Sequence, residues 1–158
     1  MSEQELLQAA IEKENKYQFN GFSNEDALEI GLLILETAKK YPGPVAVEIT
    51  INNFTVFRYF PENRTRIHER WLNAKKNTVI TFEKSSLRVG LEMNMNGIPQ
   101  DQPGMIPGEF ARYGGGFPIH LKEGCLIGVI AVSGLSPTND NNIILEALEQ
   151  YFEKHAKF

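Results

Sequence analysis

The chain has 158 residues, of which 42% are hydrophobic, and this size suits a single domain, residues 1–158, with one core. A charged fraction of 23%, a net charge of −4 and a pI of about 5.4 argue against general nucleic-acid binding. The opening MSEQELLQAAIEKEN has acids where a secretion signal needs a basic start, and no apolar run reaches the roughly 18 residues of a membrane span. These features predict a cytoplasmic protein without membrane insertion and without a nucleic-acid partner.

The charge is distributed unevenly along the chain. From Pro61 to Gly90 there are seven basic residues and three acidic ones, a net charge of +4, which leaves −8 for the remainder. A basic segment in an acidic chain suits an anionic ligand or a complementary contact between subunits.

The N-terminal part of the chain predicts two helices. The first, from Ser2 to about Lys16, has small and apolar residues at helical spacing. The second begins after a capping residue, Ser23, with an acid three positions on, and ends at the YPGP segment.

A β-hairpin follows, because VAVEITINNFTVFRYF contains two β-rich runs around Asn52 and Asn53, which tolerate the positive φ of a tight turn. Glu48 and Thr50 share the face opposite the apolar residues of the first strand. This alternation predicts a face that is wet or that meets another polar surface.

The middle of the chain predicts a helix over residues 63–76, with Ile67, Trp71 and Ala74 on one stripe, and then a short strand over 78–82. Ser85 or Ser86 caps a further helix that ends near Gly97. Residues 98–108 contain three prolines and two glycines, so they predict a long loop, of the kind that often covers a site.

The C-terminal part begins with the triple glycine of YGGGFPIH and continues as a second hairpin that turns at residues 122–124. Its latter strand is apolar at nearly every position, which predicts a central strand with Gly128 at a close approach. Ser136 or Thr138 caps the closing helix. The order of elements predicts an α+β fold with an antiparallel sheet flanked by helices.

Most common catalytic chemistries lack their signatures here. The serines stand outside a GxSxG elbow, and the three histidines, His68, His120 and His155, show no metal-binding spacing, so no metal site is expected. The triple glycine precedes a strand, whereas phosphate loops follow one. The single cysteine, Cys125, is interpreted as a small buried hydrophobe. The sequence therefore does not decide whether the protein is an enzyme.

Three blocks of sequence resemble a known family: FSNEDALEIGLLILETAKKY, RWLNAKKNTVITFEKSSLRVGL and YGGGFPIHLKEGCLIGVIAVSGL. They are similar to an uncharacterised protein family of the GlcG and HbpS-like superfamily, often labelled haem-degrading domain. The resemblance runs through nearly the whole chain. It implies a profilin-like or PAS-like sandwich in a soluble homo-oligomer, with haem as a candidate cofactor.

The first functional hypothesis is a pocket for a small anionic or haem-like ligand near the glycine segment and the basic helix. Arg70, Lys75 and Lys76 would face an anion, Trp71 or Phe117 would form an apolar wall, and His68 or a methionine would be the axial ligand of a haem. The candidate ligand-binding or interface residues are Arg70, Trp71, Lys75, Lys76, Asn77, Ser85, Ser86, Tyr113, Gly114, Gly115, Gly116 and Phe117.

The alternative is a non-catalytic interaction protein that acts through its oligomer. Trp and Arg are enriched at the centres of interfaces, so Arg70 and Trp71 fit subunit contacts without any ligand. A third hypothesis is a haem-degrading or redox enzyme at the same pocket.

Overall fold

Helices and strands alternate in groups in the computed structural model, which describes residues 1–100 and 106–156. Within those ranges the elements are α1 (Glu3–Lys16), α2 (Asn24–Thr37), a 3₁₀ turn (Ala38–Lys40), β1 (Ala46–Ile51), β2 (Phe54–Tyr59), α3 (Arg66–Phe82), α4 (Ser86–Met95), β3 (Gly116–His120), β4 (Leu126–Ser133) and α5 (Pro137–His155). The sheet has the order β2-β1-β4-β3, and all three pairings are antiparallel. The predicted α+β fold, an antiparallel sheet flanked by helices, is confirmed.

Both predicted hairpins are present. Asn52 and Asn53 have φ values of 50° and 63° at the turn between β1 and β2. β4 lies between β1 and β3, so its apolar sequence matches a central position. The close approach predicted at Gly128 is also found, because a Cβ built there would lie 2.0 Å from the carbonyl oxygen of Thr50.

Helices cover both faces of the sheet. α2 and α5 pack on one face over the main core, which includes Ile49 and Ile130, and α3 packs on the other over Ala131. The period of two along a strand therefore sends Ile130 and Ala131 to different layers.

The face of β1 that carries Glu48 and Thr50 is covered, so the prediction that it is wet is wrong. These residues are only 4% and 1% exposed, because α3 and β2 shield them. Arg58 Nε lies 3.0 Å from a carboxylate oxygen of Glu48, so the alternative, contact with another polar surface, describes this face better.

The predicted strand over residues 78–82 is wrong, since α3 continues without interruption to Phe82. Thr78 donates a hydrogen bond from its hydroxyl to the carbonyl of Ala74 and accepts one from the N–H of Ala111. Val79 is fully buried. Packing against the sheet thus overrides the β propensity of TVITF.

The predicted stripe on α3 is only partly buried, and the predicted burial of Cys125 is wrong. On α3 the buried residues include Leu72 and Lys75, whereas Ile67 and Trp71 are 53% and 40% exposed. Cys125 is exposed rather than buried, because it precedes β4 in the hairpin turn.

The predicted loop over residues 98–108 lies partly outside the described residues. No helix in the described part of the chain has the length and apolar character needed to cross a membrane.

Candidate functional site

A cavity of about 390 Å³ opens on the α3 side of the sheet. α3 supplies one wall, Tyr113 before β3 supplies another, and the turn from β4 into α5 supplies the third. The lining residues are His68, Trp71, Lys75, Tyr113, Ser133, Gly134, Leu135, Pro137 and Asp140.

A buried ion pair forms the floor of this cavity. Lys75 Nζ donates to Asp140 Oδ2 at 3.0 Å and to the carbonyl oxygen of Val132 at 2.8 Å. The other carboxylate oxygen of Asp140 accepts the N–H of Leu135 at 3.0 Å. Burial lowers the pKa of Lys75, and the charge of Asp140 opposes this shift. The positive charge of Lys75 is therefore largely neutralised inside the protein, rather than free to face an anion as predicted.

The triple glycine passes directly behind this ion pair. Gly115 has a φ of 119°, and a Cβ at this position would lie 2.6 Å from Lys75 Nζ and 2.6 Å from the carbonyl oxygen of Val132. A Cβ at Gly114 would lie 2.5 Å from the carbonyl oxygen of Pro137. The glycines therefore allow the chain to pass between α3 and α5 and to enclose the ammonium group.

Two aromatic side chains form the rim. The rings of Trp71 and Tyr113 are 6.3 Å apart with an angle of 72°, an edge-to-face arrangement. They are 40% and 43% exposed, which leaves ring surface open toward the cavity mouth. Leu135 and Pro137 add apolar surface to the opposite wall.

His68 is a second titratable group that α3 contributes to the cavity, besides Lys75. The N–H of Thr65 donates to His68 Nδ1 at 3.0 Å, which places the imidazole over the first turn of α3. Burial and the nearby positive charge of Arg64 lower the pKa of His68. The imidazole is therefore mainly neutral near pH 7.

Only part of the predicted set lies at the cavity. Trp71, Lys75 and Tyr113 line it together with His68, and Gly114, Gly115 and Gly116 pass behind it. The other predicted residues, which do not line the cavity, are Arg70, Lys76, Asn77, Ser85, Ser86 and Phe117.

Several of these outlying residues have clear structural roles. Phe117, interpreted as a cavity wall, lies instead in the core at 2% exposure, because it pairs with Ile130 on the α2–α5 side of the sheet. Ser85 caps α4 and binds Glu14. Ser86 Oγ accepts the N–H of Gly116 at 2.9 Å.

The methionine hypothesis for a haem ligand gains no support at this cavity. Met93 is buried, Met95 is exposed at the end of α4, and neither lines the cavity. Met105 lies outside the described residues. Among residues 1–100 and 106–156, no group of three or more His, Cys, Asp or Glu side chains is placed to hold a metal ion.

Asp140 is the functional candidate that sequence reasoning missed. The sequence feature that could have identified Asp140 is its place on an apolar helical stripe, since Ile143, Ile144 and Ala147 follow it at spacings of three, four and seven residues. A carboxylate on such a stripe is buried and needs a cationic partner. Lys75, 65 residues earlier, is that partner.

The chain matches one protein-family model and several known proteins. Residues 22–149 match the model described as "Haem degrading protein HbpS-like". A UPF0303 protein of Rhizobium etli is 30% identical over 142 residues, covering 90% of this chain and 87% of its own. A UPF0303 protein of Schizosaccharomyces pombe is 31% identical over 150 residues, covering 93% of this chain and 84% of its own.

Solved structures share the fold at low sequence identity. The Ybr137w protein superposes with a TM-score of 0.85 and 22% identity, covering 95% of this chain and 89% of its own. A structure described as a PduOC:haem complex has a TM-score of 0.65 and 20% identity, covering 82% and 94%. HbpS has a TM-score of 0.63 and 18% identity, covering 82% and 89%.

Proposed function

The chain belongs to the HbpS-like protein family, and we propose that it binds a small planar ligand, anionic or haem-like, in the cavity between α3 and the β4–α5 turn. The observation that carries this proposal is the combination of an open aromatic rim, Trp71 and Tyr113, with a buried polar floor, Lys75 and Asp140. Small-molecule sites typically combine apolar walls with a few placed polar groups, in volumes of about 300–1,000 Å³. The cavity volume of about 390 Å³ falls in this range.

The charges around the cavity favour an anion. Lys75 and Asp140 cancel, whereas Arg64 adds a positive charge close enough to lower the pKa of His68. Arg64 is fixed by a hydrogen bond of 2.9 Å from its Nε to the carbonyl oxygen of Pro44. A carboxylate entering the cavity would therefore meet a net positive potential.

A haem-like ligand is supported by the family and by a structural neighbour that is described as a haem complex. The exposed ring surface of Trp71 and Tyr113 suits a flat conjugated ligand, because aromatic rings stack on such surfaces. The ligand would insert one edge into the cavity and extend beyond the rim.

Trp71 is the single tryptophan of the chain, so its fluorescence reports binding at this cavity directly. We expect saturable quenching of Trp71 by haemin, by metal-free protoporphyrin IX or by a smaller aromatic carboxylate such as naphthoate. The fluorescence lifetime should be measured along with the intensity, because porphyrins absorb the emitted light.

A matched pair of variants locates the site. Tyr113→Ala removes half of the aromatic rim and should weaken binding by about 2- to 13-fold, from the 0.5–1.5 kcal/mol of an aromatic contact. Tyr59→Ala removes a tyrosine on β2 that is 50% exposed and does not line the cavity, so it should change nothing. Equal affinities in the two variants, or no saturable quenching by any of the three probes, would refute the proposal.

Assembly through α3 is the second candidate function. Ile67 and Trp71, 53% and 40% exposed on the same side of this helix, are apolar residues that another subunit could cover. If so, Ile67→Glu should lower the sedimentation coefficient, whereas Ile80→Glu, at the far end of α3, should lower it less. An identical sedimentation coefficient for the wild-type protein and Ile67→Glu would contradict assembly through this surface.

The enzymatic hypothesis depends on binding. If haemin binds, adding ascorbate and oxygen should reduce the Soret absorbance faster than in free haemin. Equal rates would argue against degradation at this site.

A further inference from the structure

The N-terminal turn of α3 determines which nitrogen of His68 faces the cavity as a hydrogen-bond donor. A neutral imidazole has one N–H and one lone pair. The backbone N–H of Thr65 donates to Nδ1, so Nδ1 must provide the lone pair. The proton is then on Nε2, which acts as a donor.

The remaining contacts of His68 agree with this assignment. Within residues 1–100 and 106–156, no other protein group hydrogen-bonds to Nε2, and the side chain lines the cavity. A second proton could be added only by breaking the hydrogen bond from Thr65. Nε2–H is therefore a fixed and unpaired donor at the cavity wall.

We propose that His68 recognises the ligand by donating a hydrogen bond from Nε2–H to a carboxylate or carbonyl oxygen, and that it does not coordinate a metal. This inference rests on the proposed function and deepens it. Coordination of iron would need the lone pair of Nε2, and therefore a proton on Nδ1, opposite the N–H of Thr65. The first turn of α3 opposes that tautomer.

The ligand class follows from this geometry: a planar conjugated compound whose acidic or carbonyl oxygen reaches His68 while its rings contact Trp71 and Tyr113. For a porphyrin, the group that enters the cavity is the carboxylate side chain rather than the metal. The site should therefore bind metal-free protoporphyrin IX as well as it binds haemin, within about threefold, because a difference below 0.7 kcal/mol is expected when no bond to iron forms.

Two variants separate donation from coordination. Both Gln and Glu at the third helical position complete a capping box with Thr65, so both preserve the helix start. His68→Gln also retains an N–H donor and should keep affinity within about threefold. His68→Glu has no donor and adds a negative charge, so the affinity for protoporphyrin IX should fall by at least about tenfold, the lower limit for a hydrogen bond to a charged group.

Absorbance of the haemin complex gives a second readout. The Soret band should be the same in the wild-type protein and in His68→Gln, because the iron has no bond to residue 68 in either. Binding of haemin without binding of protoporphyrin IX, combined with a Soret shift in His68→Gln, would overturn the inference while leaving the proposed function in place.

The tautomer itself can be measured without a ligand. ¹⁵N-histidine NMR at pH 7.5, with the His68 signals assigned by their loss in His68→Gln, should show a protonated Nε2 and an unprotonated Nδ1. The opposite pattern would overturn the inference even if ligands bind. The expected pattern without quenching of Trp71 by any probe would instead overturn the proposed function, and with it the recognition role of His68.

Discussion

The buried pair of Lys75 and Asp140 gives the most decisive stability prediction. The two side chains are 4% and 3% exposed, so replacing Lys75 by Met leaves a carboxylate buried with no charge to balance it. Removing one partner of such a pair typically costs about 3–5 kcal/mol. Lys75→Met also removes the hydrogen bond to the carbonyl oxygen of Val132, which favours the upper half of that range.

The matched control neutralises both partners. Asp140→Asn retains a side-chain oxygen that accepts the N–H of Leu135, so the double variant Lys75→Met/Asp140→Asn keeps that contact and leaves no buried charge at these two positions. We expect it to recover about 2–3 kcal/mol of the loss caused by Lys75→Met alone, since the residues are in direct contact and their effects are not additive.

Urea unfolding, followed by circular dichroism, measures these differences. With a slope of about 2 kcal/mol per molar urea, a loss of 4 kcal/mol moves the midpoint down by about 2 M. A shift below about 0.5 M for Lys75→Met, or a double variant no more stable than Lys75→Met, would refute the claim that the charge of Asp140 is buried and dependent on Lys75.

Three further predictions concern other parts of the fold. Gly115→Ala should reduce stability by about 2 kcal/mol or more, because the φ of Gly115 is 119° and a Cβ would contact two buried polar atoms. Gly21→Ala is the control and should change stability little, because no heavy atom lies within 4 Å of a Cβ built there. Burial and the hydrogen bond to Glu146 raise the pKa of Tyr41 to about 12, whereas in the unfolded chain this tyrosine ionises near pH 10. The free energy of unfolding should therefore fall between about pH 10 and pH 12, and Tyr41→Phe should lack that part of the decline. Exposed Cys125 should react with one equivalent of a thiol reagent per native chain, and a thiol that reacts only in denaturant would contradict its placement.

Local signals in the sequence predict helix starts and turns well. Ser23, Ser85 and Ser136 each accept a backbone N–H at the start of a helix, as the capping rule requires. Asn52 and Asn53 adopt the positive φ values that their turn needs. These features depend on residues within three or four positions, so a single sequence contains the information.

Features set by contacts between distant parts of the chain are harder to predict. The end of α3 resembles a strand in sequence, yet Thr78 receives a hydrogen bond from Ala111, 33 residues later, and remains helical. Phe117 and Gly116 were both assigned to the site, but neighbouring residues on a strand face opposite layers, and only the pairing of β3 with β4 shows which layer is which.

The position of Trp71 shows why the site was only partly predictable. The sequence places Trp71 on the same helical stripe as Ala74, yet Ala74 is buried and Trp71 is 40% exposed. In the structure the inner face of α3 carries Lys75 instead, since Asp140 compensates its charge, and Trp71 lies at the edge of the helix beside Tyr113. The cavity thus depends on tertiary contacts: a lysine occupies the buried position on α3, and a tryptophan is left partly exposed at the cavity entrance.

The ion pair holds α3, β4 and α5 together at this point, so breaking the pair should disrupt both the floor and the rim of the cavity. Lys75→Met should therefore weaken the quenching of Trp71 by any bound ligand, even under conditions where the protein remains folded.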